Sequence, residues 1–175
     1  MKKKLPMMIL ISSPRLSRGE AGDLEGMFDL GLERLHLRKP DHSAKEVSKV
    51  LDKLPENYLD RVVLHRVPEL MKDYPVCGYH HSAKEELLEV DGSCSRSFHK
   101  ISDLYESREK LDYAFFGPVY NSISKQGYGP KVSIESIQEY FSLENRGPEK
   151  RRDMISKSLF RDRRPIHSSK NCPGR

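Results

Sequence analysis

The chain has 175 residues and a formal net charge of +5, with 36% hydrophobic and 33% charged residues. This length allows one domain with a substantial core, and no apolar run is long enough to span a bilayer, so we expect a soluble protein with no membrane association. Its three cysteines are widely spaced and match neither a disulfide framework nor a metal-binding finger, which indicates a reduced, cytoplasmic protein.

Short apolar runs alternate along the chain with segments of helical spacing. The first run, MMILISS at Met7–Ser13, is continuous and ends at turn residues, as in a strand buried on both faces. The other predicted strands are Glu33–Lys39, Arg61–His65, Val76–His80, Ser95–His99 and Tyr113–Val119. The predicted helices are Ala21–Leu32, Ser43–Leu54, Val67–Tyr74, Ile101–Leu111 and Ser133–Phe141. Ser43 and Glu46 predict a capping box, and Ser133 predicts an N-cap.

The alternation of strands and helices predicts an α/β fold with a parallel sheet. No G-x-G-x-x-G follows the first strand, which argues against a dinucleotide-binding sheet. Polar residues instead follow successive strands at their C-terminal ends, the edge at which barrel active sites are built. These are Arg38-Lys39, His65-Arg66, His80-His81, His99 and the serine-rich loop after residue 119. We therefore favour a (β/α)8 TIM-barrel type fold that is incomplete, with about six of the eight βα units, and a doubly wound open sheet is the alternative.

Two of these strand ends suit an anionic ligand. His36 and Arg38 lie two residues apart, so their side chains share one face of the second strand, where an arginine suits phosphate or diphosphate. The loop in FFGPVYNSISKQG offers the hydroxyls of Ser122 and Ser124 and the cation of Lys125 to the same kind of ligand. The alternatives are an ion pair between Arg38 and a neighbouring carboxylate, and an ordinary solvated loop.

Five histidines lie on four consecutive predicted strands, a pattern that also occurs in metallohydrolases. They are His36, His65, His80, His81 and His99. Such a metal site would normally include carboxylates beside the imidazoles, and none of these strand ends supplies one directly, so the sequence favours hydrogen-bonding or acid–base roles and no metal ligands. His99 is the best candidate for proton transfer because it would face the barrel mouth with Ser97, although a packed histidine is the alternative.

In order and spacing, these elements resemble the thiamine phosphate synthase/TenI family of (β/α)8 barrels. Leu35–Lys39 is similar to the family's Q-x-R segment on strand two, and Ser95–His99 to its G-x-S-x-H segment on strand five. Asp112–Lys125 is similar to its D-Y…G-P-V-F…T-x-T-K segment, which is the most specific of the three. The resemblance covers residues 7–142.

The resemblance implies a thiamine-biosynthesis enzyme that couples a thiazole phosphate to hydroxymethylpyrimidine diphosphate, with Mg²⁺ assisting departure of diphosphate. Arg38 would hold the diphosphate, and Ser97 would lie beside the reacting groups. His36 stands in place of the family's glutamine, and Lys39 stands one position before the family's lysine. The implied substrate-binding residues are His36, Arg38, Lys39, Ser97, Ser122, Ser124 and Lys125.

The family's magnesium ligands are not matched in this sequence. The synthases carry an Asn-Asp pair at the end of strand three and an Asp after strand four, where this chain has Leu64-His65-Arg66 and His80-His81-Ser82. Imidazole and guanidinium in place of carboxylates disfavour Mg²⁺. TenI-like members are thiazole tautomerases that use a histidine at the S-x-H position, which is His99 here, and need no metal. A tautomerase is therefore the alternative function.

Residues 143–175 do not continue the barrel pattern. The family would continue with two more strands and a Gly-Gly phosphate loop, so we expect a barrel domain at residues 1–142 followed by a disordered tail. One interpretation is that the reading frame is lost near residue 143, leaving an inactive, truncated family member that oligomerises through open sheet edges. Residues 146–175 contain ten Lys or Arg against three acids but no interleaved aromatics, so we expect phosphorylated small molecules, and no nucleic acid, as partners.

Overall fold

The structure is a computed structural model, and it describes residues 8–103, 111–121, 129 and 132–144. The chain divides into two compact units, Met1–Lys131 and Val132–Arg175. Residues 145–175 lie outside the described residues, so the predicted disorder of the tail and the predicted domain boundary at residue 142 stay predictions. The strands and most of the described helices belong to the first unit.

Six parallel strands form one sheet in the first unit, in the order β1-β2-β3-β4-β5-β6. Their bounds are β1 Ile9–Ile11, β2 Arg34–Leu37, β3 Val62–His65, β4 Gly78–His81, β5 Ser93–Phe98 and β6 Tyr113–Phe116. Each strand pairs with the next one along the chain, as in a (β/α) barrel. All six predicted strands are confirmed, with their ends shifted by a few residues at most. The α/β class and the parallel sheet are confirmed with them.

The helices follow the predicted pattern less closely than the strands. Their bounds are α1 Glu20–Asp29, α2 Ala44–Leu51, α3 Glu56–Leu59, a 3-10 helix at Pro68–Lys72, and α4 Ile134–Glu144 in the second unit. The segment predicted as a helix at Val67–Tyr74 forms the 3-10 helix, and α3 is too short for its periodicity to predict it. The predicted helix at Ile101–Leu111 lies mostly outside the described residues. Among the described residues, no helix is both long and apolar enough to cross a membrane.

Predicted caps begin two of these helices. The Glu46 carboxylate accepts hydrogen bonds from the backbone N–H of Ser43 at 2.9 Å and from its hydroxyl at 2.7 Å, which confirms the capping box of α2. In the second unit, the backbone N–H of Ser136 donates to the hydroxyl of Ser133 at 3.1 Å, which confirms that N-cap for α4. Local sequence therefore determines where both helices begin.

The main core lies between the outer face of the sheet and helices α1 and α2. Leu35 and Leu37 on β2 are fully buried and meet the apolar face of α2, where Val47 and Leu51 are each 1% exposed. Burying a leucine side chain stabilises a protein by about 1.5–3 kcal/mol, so this layer is a large part of the folding free energy. Because alternate strand residues point to opposite faces, the side chains between these leucines point to the inner face.

The inner face closes on itself because the sheet is curled. Nε2 of His36 on β2 lies 2.7 Å from the hydroxyl oxygen of Tyr113 on β6, four strands away. In a flat sheet these strands would be about 19 Å apart, at about 4.8 Å per strand. The described sheet therefore has the curl of half a barrel, which fits a TIM-barrel-like α/β fold. The number of βα units beyond the sixth stays a prediction.

Gly78 allows β4 and β5 to approach closely at the inner face. A Cβ atom at this position would lie 1.9 Å from the carbonyl oxygen of Ser93, the residue that pairs with Gly78 in the parallel ladder. Such a contact is far shorter than any real Cβ contact, so a side chain here would push the two strands apart. Gly78 therefore helps to bring the polar side chains of β4 and β5 together.

Candidate functional site

The inner face of the curled sheet is polar, although the interior of a TIM barrel is usually filled with branched apolar side chains. Strand alternation places a charged or polar group on this face in every strand from β2 to β6. These residues are Arg34, His36, His65, His80, Ser93, Ser95, Ser97 and Tyr113. Buried polar groups are costly unless they are hydrogen-bonded, so their partners decide what this face can do.

Three of the five predicted histidines form a buried cluster, here called the histidine cluster: His36, His65 and His80. Nδ1 of His36 lies 2.9 Å from Nε2 of His65. The rings of His65 and His80 are stacked with their centroids 4.4 Å apart, and those of His36 and His80 meet edge to face at 5.2 Å. All three side chains are at most 8% exposed. The curl of the sheet therefore brings imidazoles from three neighbouring strands into direct contact.

Hydroxyl groups of β5 and β6 bind the outer nitrogens of the cluster. His36 Nε2 lies 2.7 Å from the Tyr113 hydroxyl. His80 lies 2.8 Å from the Ser95 hydroxyl through Nδ1 and 2.8 Å from the Ser97 hydroxyl through Nε2. A neutral imidazole donates from one nitrogen and accepts at the other, and a hydroxyl does both, so the network can satisfy every one of these nitrogens.

Burial keeps the histidine cluster neutral. It lowers the pKa of His36 to about 3, with His80 and Arg34 adding to the effect. It lowers the pKa of His65 to about 2, together with the neighbouring histidines, Arg38 and Arg66. It lowers the pKa of His80 to about 4, with a smaller contribution from His81. Because a general base works best with a pKa near the working pH, these three imidazoles are better suited to hydrogen bonding than to proton transfer.

A hydrogen bond to the backbone orients His99, the residue predicted to transfer a proton. It is half-buried, and its Nδ1 makes a hydrogen bond with the carbonyl oxygen of Gly117, just after β6. A carbonyl oxygen only accepts, so in the neutral ring Nδ1 carries the hydrogen and Nε2 carries the lone pair. In the neutral ring Nε2 is therefore the nitrogen that is able to accept a proton. Its catalytic role stays a prediction.

Arg38 and Lys39, adjacent in sequence, have different surroundings. Arg38 follows β2, its backbone N–H donates to the Ser12 hydroxyl at 2.9 Å, and its half-buried guanidinium lies close enough to His65 and His80 to lower the pKa of both. Lys39 is 1% exposed, and its ammonium donates to the carbonyl oxygens of Ser13 at 2.8 Å and Arg15 at 3.0 Å.

The third partner of the Lys39 ammonium is the carboxylate of Glu20, in a buried ion pair. An ammonium group has three hydrogens to donate, so these three bonds use all of them. In this arrangement Lys39 holds the segment between β1 and α1 against the end of β2. Its predicted role in substrate binding stays a prediction, as do the roles of Ser122, Ser124 and Lys125, which lie outside the described residues.

Of the remaining predicted substrate-binding residues, His36 and Ser97 lie in one hydrogen-bonded network. His36 belongs to the histidine cluster, and Ser97 reaches the same cluster through its bond to His80. The sequence did not single out Tyr113 or Ser95, although alternation from Ser97 and from Phe115 places both on the inner face. The network therefore extends from the predicted residues to side chains that sequence reasoning missed.

Arg34 is another inner-face residue that the sequence did not single out. Its Nη1 donates to the Ser93 hydroxyl at 3.3 Å, and its guanidinium lies 5.9 Å from the centre of the Tyr113 ring. Its buried Nε has no hydrogen-bond partner among the described residues. The signal that would have found Arg34 is its position two residues before His36, on the same face of β2.

Comparison with known proteins supports the fold. No protein-family model matches the chain, and no curated protein matches it in sequence. Among solved structures, the chain is similar to a thiamine phosphate pyrophosphorylase from Bacteroides thetaiotaomicron, with 26% sequence identity and a TM-score of 0.66. The match covers 78% of this chain and 66% of that one, so the chain spans slightly less than two thirds of the solved structure. The resemblance predicted from sequence is confirmed at the level of the fold.

Proposed function

We propose that the chain has a thiamine-biosynthesis-like function and binds a phosphorylated small molecule at the C-terminal edge of its curled sheet. The ligand that we propose first is a thiazole phosphate. The similarity to a thiamine phosphate pyrophosphorylase supports the general function. We place the binding site at this edge because parallel α/β barrels bind their ligands at the C-terminal ends of the strands.

The surroundings of Arg38 carry the proposal. The Ser12 hydroxyl both accepts from the Arg38 N–H at 2.9 Å and lies 3.3 Å from its carbonyl oxygen, so the backbone is held at the strand end. No ion pair joins its guanidinium to a carboxylate among the described residues, and the histidines beside it are neutral. A half-buried arginine beside neutral imidazoles favours an anion, and its planar donors suit phosphate.

The donor groups at this edge do not fit the magnesium ion of the synthases. At the ends of β3 and β4 the chain has His65-Arg66 and His80-His81 at the positions where carboxylates would be needed. Mg²⁺ prefers oxygen ligands in octahedral geometry, and a guanidinium repels it. We therefore propose no coupling step that passes through magnesium.

The geometry of His99 favours the tautomerase as the second candidate function. Its Nδ1 is held by the Gly117 carbonyl, so Nε2 can take a proton from one position of a bound thiazole and return it to another. That reaction moves one hydrogen within the ligand and releases no group, so it needs no metal and no second substrate.

Calorimetric titration of the full chain with thiazole phosphate tests the binding proposal. We expect saturable binding with one ligand per chain and a loss of about 10- to 100-fold in affinity for Arg38→Met, since hydrogen bonds to charged groups are worth about 1.5–3 kcal/mol. Arg18→Met, at an exposed arginine in the segment before α1, is the matched control and should bind normally. A folded sample that gives neither heat nor a ³¹P NMR shift would count against both candidate functions.

Exchange of the thiazole hydrogen in D₂O, followed by ¹H NMR, separates the two candidates. If His99 transfers the proton, His99→Gln should retain thiazole phosphate binding and lose at least about 100-fold in exchange rate, as expected for removal of a general base. Binding without any catalysed exchange in the unsubstituted chain would leave the chain as a binding protein and eliminate the tautomerase.

A further inference from the structure

The histidine cluster contains a set of nitrogen ligands of the kind that transition metals prefer. One ring nitrogen from each of His36, His65 and His80 can be chosen so that all three lie within 4.8 Å of one another. The three residues come from three adjacent strands, β2, β3 and β4, which fix their spacing through backbone hydrogen bonds. The spacing is therefore a property of the sheet and not of a mobile loop.

The distance between the His36 and His65 nitrogens is close to that in a tetrahedral site. Zinc–imidazole bonds of about 2.0–2.1 Å place neighbouring ligand nitrogens about 3.3 Å apart in a tetrahedron. The contact between His36 Nδ1 and His65 Nε2, at 2.9 Å, is within a few tenths of an ångström of that value. The His80 nitrogen lies within 4.8 Å of the other two, so it would have to move closer to them to complete the site.

The hydroxyls around the cluster are placed where they would orient metal ligands. A histidine that binds a metal through one nitrogen donates its other N–H to an oxygen, which fixes the ring. If His36 binds through Nδ1, its Nε2–H points at the Tyr113 hydroxyl at 2.7 Å. If His80 binds through Nε2, the metal replaces the bond of that nitrogen to the Ser97 hydroxyl, and Nδ1–H points at the buried Ser95 hydroxyl at 2.8 Å. Both outer oxygens are already in position.

Charge decides which further ligand such a site would accept. The three imidazoles are neutral, and their charged neighbours include the cations Arg34, Arg38 and Arg66 and one carboxylate, Glu85, which acts on His80. These arginines oppose a bare cation but stabilise an anion bound to it. A fourth position occupied by hydroxide or phosphate would balance the charge of the metal and of Arg38 together.

We propose that His36, His65 and His80 bind one divalent transition-metal ion of the Zn²⁺ class, with the fourth position left to water or an anion. Imidazole nitrogens suit zinc, copper, nickel and cobalt, whereas the hard cations magnesium and calcium need oxygen. Three protein ligands with one open position is the arrangement of catalytic zinc sites. The sequence favoured no metal here because it lacks carboxylates at the strand ends, but three imidazoles suffice once the sheet brings them together.

Cobalt is the probe, because Co²⁺ in a tetrahedral nitrogen site absorbs visible light and substitutes for zinc. The full chain, stripped with a chelator and dialysed, is titrated with Co²⁺ alone. We expect visible absorption that saturates at one Co²⁺ per chain and that added Zn²⁺ abolishes. His65→Asn should weaken binding by at least about 100-fold, and Tyr113→Phe by about 10- to 100-fold, as loss of an outer hydrogen bond does. His42→Asn, at a histidine beside α2 and outside the cluster, should change nothing.

Circular dichroism shows whether each variant folds. If a variant does not fold, the unsubstituted chain supplies a second test. Its ¹H NMR spectrum with Co²⁺ bound should contain three paramagnetically shifted, exchangeable imidazole N–H signals. The proposal is overturned if folded chain gives no tetrahedral cobalt band, if folded His65→Asn binds Co²⁺ as tightly as the unsubstituted chain, or if fewer than three shifted signals appear. Because only metal is added, these outcomes are independent of thiazole phosphate binding.

Discussion

Mild acid should destabilise the folded chain, because its histidine cluster is buried in the neutral form. Burial lowers the pKa of His36 to about 3, of His65 to about 2 and of His80 to about 4, from 6.5 in an exposed histidine. Between pH 7.5 and 5.5 the unfolded chain takes up a proton at each of these positions and the folded chain does not. Protons therefore bind the unfolded state preferentially, and the free energy of unfolding must fall as the pH falls.

The size of the effect follows from the three pKa shifts. A histidine with an unfolded pKa of 6.5 and a folded pKa well below 5.5 loses about 1.4 kcal/mol of stabilisation between pH 7.5 and 5.5. Three such residues lower the free energy of unfolding by about 4 kcal/mol over this range, a large fraction of the total stability of an ordinary domain. His81, whose pKa burial also lowers, acts in the same direction.

Urea unfolding followed by circular dichroism, at fixed ionic strength and with a chelator present, measures this dependence. Replacing one member of the cluster, as in His65→Gln, should reduce the loss between pH 7.5 and 5.5 by about one third, whatever its effect on stability at pH 7.5. Gly22→Ala, at an exposed position of α1, neither removes nor adds a titrating group, so it is the control and should leave the slope unchanged. A free energy of unfolding that is the same at both pH values within about 1 kcal/mol would refute the reasoning.

The remaining predictions concern stability, measured by urea unfolding at pH 7.5. Lys39→Met should lower the free energy of unfolding by about 3–5 kcal/mol, because it leaves the Glu20 carboxylate buried without its partner. The double variant with Glu20→Gln should recover most of that loss. Equal stability of the single and double variants would contradict this account. Gly78→Ala should cost about 1–3 kcal/mol because its Cβ collides with the Ser93 carbonyl oxygen. Gly22→Ala, at an exposed position of α1 where an added Cβ meets nothing within 4 Å, should instead stabilise the chain by about 0.5–1 kcal/mol. Equal stability of Gly78→Ala and Gly22→Ala would be evidence against the close approach of β4 and β5.

The fold was predictable because its signals are local. Short runs containing apolar residues predicted the six strands, and the Ser43 and Ser133 caps predicted the starts of α2 and α4. Parallel pairing in chain order followed from the strand–helix alternation, and with it the edge at which strand ends gather. The curl of the sheet was expected from the barrel resemblance and is confirmed for the six described strands.

The candidate site was less predictable because its contacts join residues that are far apart in sequence. The sequence placed His36 and Arg38 on one face, but the contact of His36 with Tyr113 spans 77 positions and depends on the degree of curl. The resemblance implied that Lys39 binds substrate, and its buried ion pair with Glu20, 19 positions away, was not predicted. Sequence order identified candidate residues, and the closure of the sheet determined their partners.

The hydrogen bonds of the inner face separate the two proposals about this chain. Both ring nitrogens of His36 and of His80 already have protein partners, so a phosphate that entered the cluster would have to replace those bonds at a cost. A metal ion would replace the bond between His36 Nδ1 and His65 Nε2 and the bond from His80 Nε2 to Ser97 with its own bonds to these nitrogens. It would keep the hydroxyl bonds of Tyr113 and Ser95 to the other ring nitrogens. We therefore expect phosphate at Arg38 and metal within the cluster. Arg38→Met should weaken the binding of thiazole phosphate more than the binding of Co²⁺. Tyr113→Phe should weaken the binding of Co²⁺ more than the binding of thiazole phosphate.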